Sequence, residues 1–281
     1  MKLLRYGPVG AERPGLLHTD GTIRDLTGLV PDIGGAVISD TGLAMLRGID
    51  AGILPVVDPA TRLGPCVAGT GKFICIGLNY ADHAAESGMA VPPEPVIFMK
   101  ATSAICGPND PIIIPRGSEK TDWEVELAII IGKAAKYVSQ DEAMAHVAGY
   151  AVTNDVSERA FQTERSGQWT KGKSCDNFGQ IGPWLVTRDE VADPQNLKMW
   201  LKVNGKTMQD GSTKTMVYGV KYLVSYLSQF MTLHPGDVIS TGTPPGVGLG
   251  MKPPRYLKPG EVVELAIEGL GSQRQDVIAD L

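Results

Sequence analysis

The apolar residues of this chain fall mostly into short runs. FICIGLNY (73–80), PVIFMK (95–100), PIIIP (111–115), GYAVTNDV (149–156) and DVIST (237–241) are rich in β-branched or aromatic side chains and are bounded by Gly, Pro, Asn or Asp. That is the pattern of strands separated by turns. Three stretches instead place apolar residues at three- and four-residue spacing and predict helices: SDTGLAMLRGID (39–50), SQDEAMAHVAG (139–149) and GVKYLVSYLSQFM (219–231). The first two open on Ser, a good N-cap. The expected fold class is mostly β, of the α+β kind, with a few packing helices. PGLLHTDGTIRDLT reads as a hairpin around Asp20-Gly21. The chain before the loop DPATRLGP differs in character from the chain beyond it, so the sequence predicts a small N-terminal domain over 1–65 and a larger one over 66–281.

Composition narrows the function classes. With 281 residues, 43% of them hydrophobic, the chain can bury a sizeable core. The net charge is −5 and Lys and Arg are scattered, so no basic surface for nucleic acid or an anionic membrane is expected. No apolar run approaches the roughly 20 residues of a spanning helix, and MKLLRYGPVGAERPG lacks the apolar stretch of a signal peptide. A cytoplasmic location is the expectation. Cys66, Cys75, Cys106 and Cys175 form no CxxC pair, which predicts reduced, mostly buried thiols.

Two glycine-rich segments imitate nucleotide motifs. GPCVAGTGKF has Phe after the Lys, where a phosphate loop needs Ser or Thr, and a strand comes next in place of a helix. GTPPGVGLG (242–250) runs into the proline-rich MKPPRYLKPG, which cannot continue as a helix. The second could still wrap backbone amides around a small carboxylate.

The chemistry concentrates in acids at strand ends. In KTDWEVELAIIIGK, Glu124 and Glu126 are two apart and share a face of a strand. Asp155 ends the run AGYAVTND. Three oxygen donors without Cys or His suit a hard cation, Mg²⁺ or Mn²⁺. An arbitrary Glu-x-Glu more often decorates a half-exposed strand, but here LAIII comes directly after and reads as buried on both faces. In NYADHAAESGM, His83 and Glu86 stand three apart in a short helical segment, the spacing of a general base and its orienting carboxylate and also of an ordinary surface pair. His18, His146 and His234 have no such setting. Arg159 and Gln162 lie one turn apart just past Asp155, placed to grip a carboxylate, and Lys173 sits in a Gly- and Ser-rich loop where it could stabilise negative charge. Each alone also fits a solvated surface residue.

Taken in order, IGLNYADHAAE, PVIFMKATSAI, DWEVELAIIIG, TNDVSERAFQ, KGKSCDNFGQIGPW and STGTPPGVG resemble the fumarylacetoacetate hydrolase family over about residues 70–281. The resemblance implies that family's mixed β-sandwich roll, a homodimer or higher homo-oligomer, and Mg²⁺ (or Mn²⁺) held at Glu124, Glu126 and Asp155. It implies a water-activating dyad at His83 and Glu86 on a lid, an active-site lysine at Lys173, and substrate-facing positions at Lys100, Arg159, Gln162 and Thr243. The substrate implied is a small 2,4-dioxo acid, hydrolysed at C3–C4 to pyruvate and a carboxylic acid. The N-terminal stretch MKLLRYGPVGAERPGLL is similar to bacterial members that act on ureidoglycolate or on 2,4-diketo-3-deoxy sugar acids, so 2,4-diketo-3-deoxy-L-rhamnonate (or fuconate) is the expected substrate. A pocket built from Arg159, Gln162, Lys100 and the STGTPPGVG loop would be rich in donors and favour such an acyl group. Oxaloacetate decarboxylase, fumarylpyruvate hydrolase or isomerase, ureidoglycolate lyase and a non-catalytic metal-binding protein are the alternatives.

Overall fold

The computed structural model describes residues 1–82 and 91–280. Among them a ten-stranded sheet runs in the order Ile23–Asp25, Arg13–Leu17, Lys2–Tyr6, Gly179–Thr187, Val147–Asp155, Val125–Ile131, Val238–Ser240, Phe73–Gly77, Val96–Lys100, with Ile105–Cys106 added in parallel beside Gly179–Thr187. A five-stranded sheet has the order Lys206–Ser212, Lys198–Val203, Val262–Ile267, Gly271–Ala279, Ile112–Ile114. A short antiparallel ladder joins Thr121–Asp122 to Ser157–Glu158.

Strand parity decides what each face does. Val125–Ile131 is buried at every position, as LAIII predicted. Its odd residues Val125, Leu127, Ile129 and Ile131 pack with Met199, Leu201, Val263 and Leu265 of the second sheet. Its even residues Ala128 and Ile130 pack with Ala151 and with Val37, Ile38, Leu43 and Leu46 of the N-terminal segment. Each such side chain taken fully from water contributes about 1.5–3 kcal/mol. Glu124 and Glu126 continue the even face beyond Ala128, where the apolar layer ends. The sheet is thus covered on both faces, and the sandwich-like α+β class is the one observed.

Helices pack into both cores. Asp40–Arg47 is capped by the Ser39 side chain, which accepts from the Gly42 N–H. Val220–Ser228 buries Val220, Leu223, Val224 and Leu227, the i, i+3, i+4, i+7 stripe the sequence predicts. The helix expected over 139–149 is shorter. It opens on a Ser139–Glu142 capping box but runs only over Gln140–Ala143, with a 3₁₀ turn at Met144–His146. Val147 onward is claimed by strand pairing with Val125–Ile131, which outweighs the helical spacing. Among the described residues no helix is long and apolar enough to cross a membrane.

Residues 1–65 contribute to the same architecture. The hairpin of Arg13–Leu17 with Ile23–Asp25 forms around Asp20-Gly21, with the Asp20 carboxylate accepting from the Thr22 N–H at 2.8 Å. Lys2–Tyr6 pairs with Gly179–Thr187, so this N-terminal unit is hydrogen-bonded to the site-bearing sheet and shares its second core.

Candidate active site

The acids meet because of register. Thr153 pairs with Glu126, and the Asp155 N–H donates to the Glu124 carbonyl at 2.9 Å, so Glu124, Glu126 and Asp155 project from one end of one face. All three are buried and offer oxygens within 4.8 Å of one another. Three carboxylates in such a space need cations. The Lys173 ammonium donates to Glu124 Oε2 at 2.7 Å and to Asp155 Oδ2 at 2.8 Å. Lys100 Nζ pairs with Asp155 Oδ1. Arg159 Nη2 donates to Glu124 Oε1 at 2.7 Å. Among the described residues no cation pairs with Glu126, which accepts from the Ser240 hydroxyl and, at 2.8 Å, from the Gly242 N–H.

These contacts set the protonation of the cluster. Burial pushes the Glu124 carboxyl up, but the charges of Arg159 and Lys173 outweigh it and hold it below the ordinary range. Burial, then the charges of Asp155 and Glu124, push Glu126 well above that range. Burial works against the Lys173 ammonium, yet Asp155 and Glu124 raise it. Within this network the carboxylates of Asp122, Glu124, Glu126 and Asp155 face the cations Lys100, Arg159 and Lys173, and a proton on Glu126 cancels the excess. An all-oxygen donor set with one carboxyl left over fits a hard divalent cation exchanged for that proton.

A cavity opens over the cluster, lined by Glu124, Glu126 and Lys173 on one side and by Leu78, Phe98, Trp169 and Val247 on another. The Phe98 and Trp169 rings meet edge to face at 5.3 Å, and Lys173 Nζ lies 4.9 Å from the Phe98 ring centre. Leu78 takes a left-handed φ of 55°, costly for a branched side chain and a feature that concentrates at ligand sites.

The residues expected to face substrate divide. Gln162, Thr243 and Arg159 line the cavity. The Arg159 guanidinium, expected to grip a ligand carboxylate, grips the chain's own acids instead: Nε donates to Asp122 at 2.8 Å, Nη2 to Glu124, and Nη1 to Gln162 Oε1 at 3.1 Å. Lys100 lies behind the cluster, fully buried, its amine donating to the carbonyls of Val156 (2.9 Å) and Lys173 (2.7 Å). The cavity wall is correspondingly more apolar than a donor-rich pocket. Three amides of GTPPGVGLG are likewise spent internally, Gly242 on Glu126 and Gly248 and Leu249 on Asp122. Gly242 has φ 93°, and a Cβ there would come within 2.9 Å of Asn79 Cβ, so only glycine fits. The proposed dyad, His83 and Glu86, and its helical segment from 83 onward lie outside the described residues.

Sequence reasoning missed Asp122, Ser240 and Trp169. Asp122 carried a signal, since D-x-E-x-E extends the two-residue spacing by one more acid. Cys66, Cys75 and Cys106 are buried and Cys175 half-buried, all free thiols, as expected.

Residues 72–278 match the profile of the fumarylacetoacetate hydrolase C-terminal domain. The chain belongs to the fumarylacetoacetate hydrolase family. A Burkholderia lata protein described only as a hydrolase is 63% identical over 98% of both chains. The fumarylacetoacetate hydrolase of Exiguobacterium antarcticum superposes with a TM-score of 0.86 at 38% identity, covering all of both chains. The maleylpyruvate hydrolase of Sphingobium sp. SYK-6, solved with manganese(II) and pyruvate, gives 0.82 at 31% identity, again over both whole chains. The 5-carboxymethyl-2-hydroxymuconate delta-isomerase of Mycobacterium smegmatis gives 0.79 at 33%, also over both whole chains. The family's structures thus include hydrolases and isomerases on this fold.

Proposed function

We propose that this family member is a metal-dependent hydrolase that cleaves the C3–C4 bond of a 2,4-dioxo acid to pyruvate and a carboxylic acid. The observation that carries the reading is the convergence of Glu124, Glu126 and Asp155, the two glutamates lining a cavity, with no cation among the described residues paired to Glu126. Mg²⁺ or Mn²⁺ held there would supply Lewis-acid stabilisation to the negative charge that develops on the pyruvyl half. Lys173 gives two of its protons to Glu124 and Asp155, and we assign the third to the oxyanion formed at C4. His83, oriented by Glu86, deprotonates the attacking water. Gln162 and Thr243 line the cavity beside the acyl half, the Thr243 hydroxyl being held by the Val125 carbonyl and the Gln209 amide.

For the substrate we propose a six-carbon 2,4-diketo-3-deoxy sugar acid, the L-rhamnonate derivative, which is the same acid as the L-fuconate derivative because only C5 remains stereogenic, split to pyruvate and lactate. The N-terminal resemblance supports it, as does the Gln162 amide at the cavity wall. The test is a panel of acylpyruvates and diketo-deoxy sugar acids assayed with Mg²⁺, reading pyruvate, the partner acid and CO₂. Two acids in equal amounts are expected. Release of CO₂ in place of a second acid would make the reaction a decarboxylation, and a rearranged product without cleavage would make it an isomerisation.

A further inference from the structure

Asp122 does not line the cavity, yet its carboxylate is heavily engaged close to it. It is fully buried and accepts four N–H donors: Trp123 N at 2.9 Å and Gly248 N at 2.7 Å on Oδ1, Leu249 N at 3.0 Å and Arg159 Nε at 2.8 Å on Oδ2. Two of these donors belong to the turn that carries Val247 and Leu249 into the cavity, and Arg159 in turn holds Glu124. A single carboxylate therefore joins the apolar wall to the acidic cluster. The turn is built for this contact. A Cβ at Gly248 would come within 1.9 Å of the Arg255 carbonyl oxygen and 2.8 Å of Asp122 Oδ1, so the amide can approach only without a side chain. Trp123 adds a second tie, its indole N–H donating to the Gly246 carbonyl at 3.1 Å.

We propose that Asp122 is a specificity-determining positioning residue, which fixes the distance between the pyruvyl end of the cavity and the Val247–Leu249 wall and so sets the chain length accepted beyond the pyruvyl group. The inference rests on the proposed reading only in taking the cluster as the pyruvyl end. Only a carboxylate can serve, because both oxygens receive donors. In Asp122→Asn one oxygen becomes an NH₂ that faces an N–H, and either the turn or Arg159 must move.

The test is equilibrium binding with Mg²⁺ present, comparing oxalate, which reaches only the cluster, with 2-oxohexanoate, whose chain extends toward the wall. Asp122→Asn is expected to weaken 2-oxohexanoate about tenfold or more and oxalate by less than about threefold, since loss of apolar pocket contacts is worth about that much. A merely structural role would weaken both in parallel, and that result overturns the proposal. Should Asp122→Asn fail to fold, Leu249→Ala removes the wall and leaves the Asp122 contacts; selective weakening of 2-oxohexanoate supports the proposal and an unchanged ratio overturns it. Wild-type protein that binds neither ligand overturns it too. Wild-type protein that binds both selectively but releases no pyruvate from any acylpyruvate overturns the proposed function alone.

Discussion

Lys173 lies with its ammonium 2.8 Å from the Asp155 carboxylate, and the same amine reaches Glu124 at 2.7 Å. It is therefore both a counter-charge for the cluster and a donor beside the cavity. Removing it separates the two roles by sign. Lys173→Ala should lower kcat by about 10²–10³, the usual worth of a charge-stabilising donor, because the oxyanion loses its partner. Mg²⁺ affinity measured by calorimetry should stay level or rise, since a cation has left the carboxylates it competes for. A loss of metal affinity would show Lys173 to be structural.

Glu126→Gln makes the complementary change. The amide oxygen can still accept from Ser240 and Gly242, so the metal-free fold should keep its Tm. Metal affinity should fall tenfold or more, about 1.4 kcal/mol at least, because one of only three charged ligands is gone. Chelator should abolish wild-type activity, and Mg²⁺ or Mn²⁺ should restore it. Full turnover in chelated protein would dismiss the metal.

The raised Glu126 pKa predicts a pH dependence. A carboxyl whose folded pKa lies above its unfolded value contributes stability that is fully present below the ordinary glutamate range and lost as pH rises through the folded value. The metal-free protein should lose this contribution progressively as pH rises above the ordinary glutamate range. A divalent cation replaces the same proton, so its affinity climbs as pH rises. The Tm gained on adding Mg²⁺ should thus be larger at about pH 8 than at about pH 5, read by differential scanning calorimetry. A gain independent of pH would mean that Glu126 is already ionised in the metal-free protein.

His83→Ala should lower kcat by about 10²–10⁴ while changing KM less, as for loss of a positioned general base. The Tm should be unaltered. Near-normal turnover would remove His83 from the reaction and favour decarboxylation or isomerisation, which need no activated water.

The acidic pair was legible from sequence because a two-residue spacing maps directly onto one face of a strand, and Ser39 and Ser139 because N-capping is local. What escaped depends on distant chain. Arg159 read as a ligand-gripping residue because its true partner, Asp122, reaches it through the ladder of Thr121–Asp122 with Ser157–Glu158 and is itself tied to a turn 126 residues further on. Lys100 read as substrate-facing only through the family resemblance, and here it lies beneath Asp155 with its amine on the Val156 and Lys173 carbonyls. The donor-rich pocket expected from those two residues went with them. The short helix at Gln140–Ala143 fell to a competition that spacing alone could not judge, since Val147 fits both periods.

The strand Val238–Ser240 also bears on the order in which the chain folds. It stands between Phe73–Gly77, to which it is parallel, and Val125–Ile131, to which it is antiparallel. Until it inserts, the strands formed early in the chain have no hydrogen-bonded neighbour on that side. Ser240 and Gly242, the partners of Glu126, arrive with it, and Asn79 then closes on the Thr241 carbonyl at 2.8 Å. Such long loop closures are slow. The acids themselves meet earlier, through the local pairing of Val125–Ile131 with Val147–Asp155, so what this strand completes is the enclosure of Glu126, at a stage when Lys100, Arg159 and Lys173 can already stand beside the cluster.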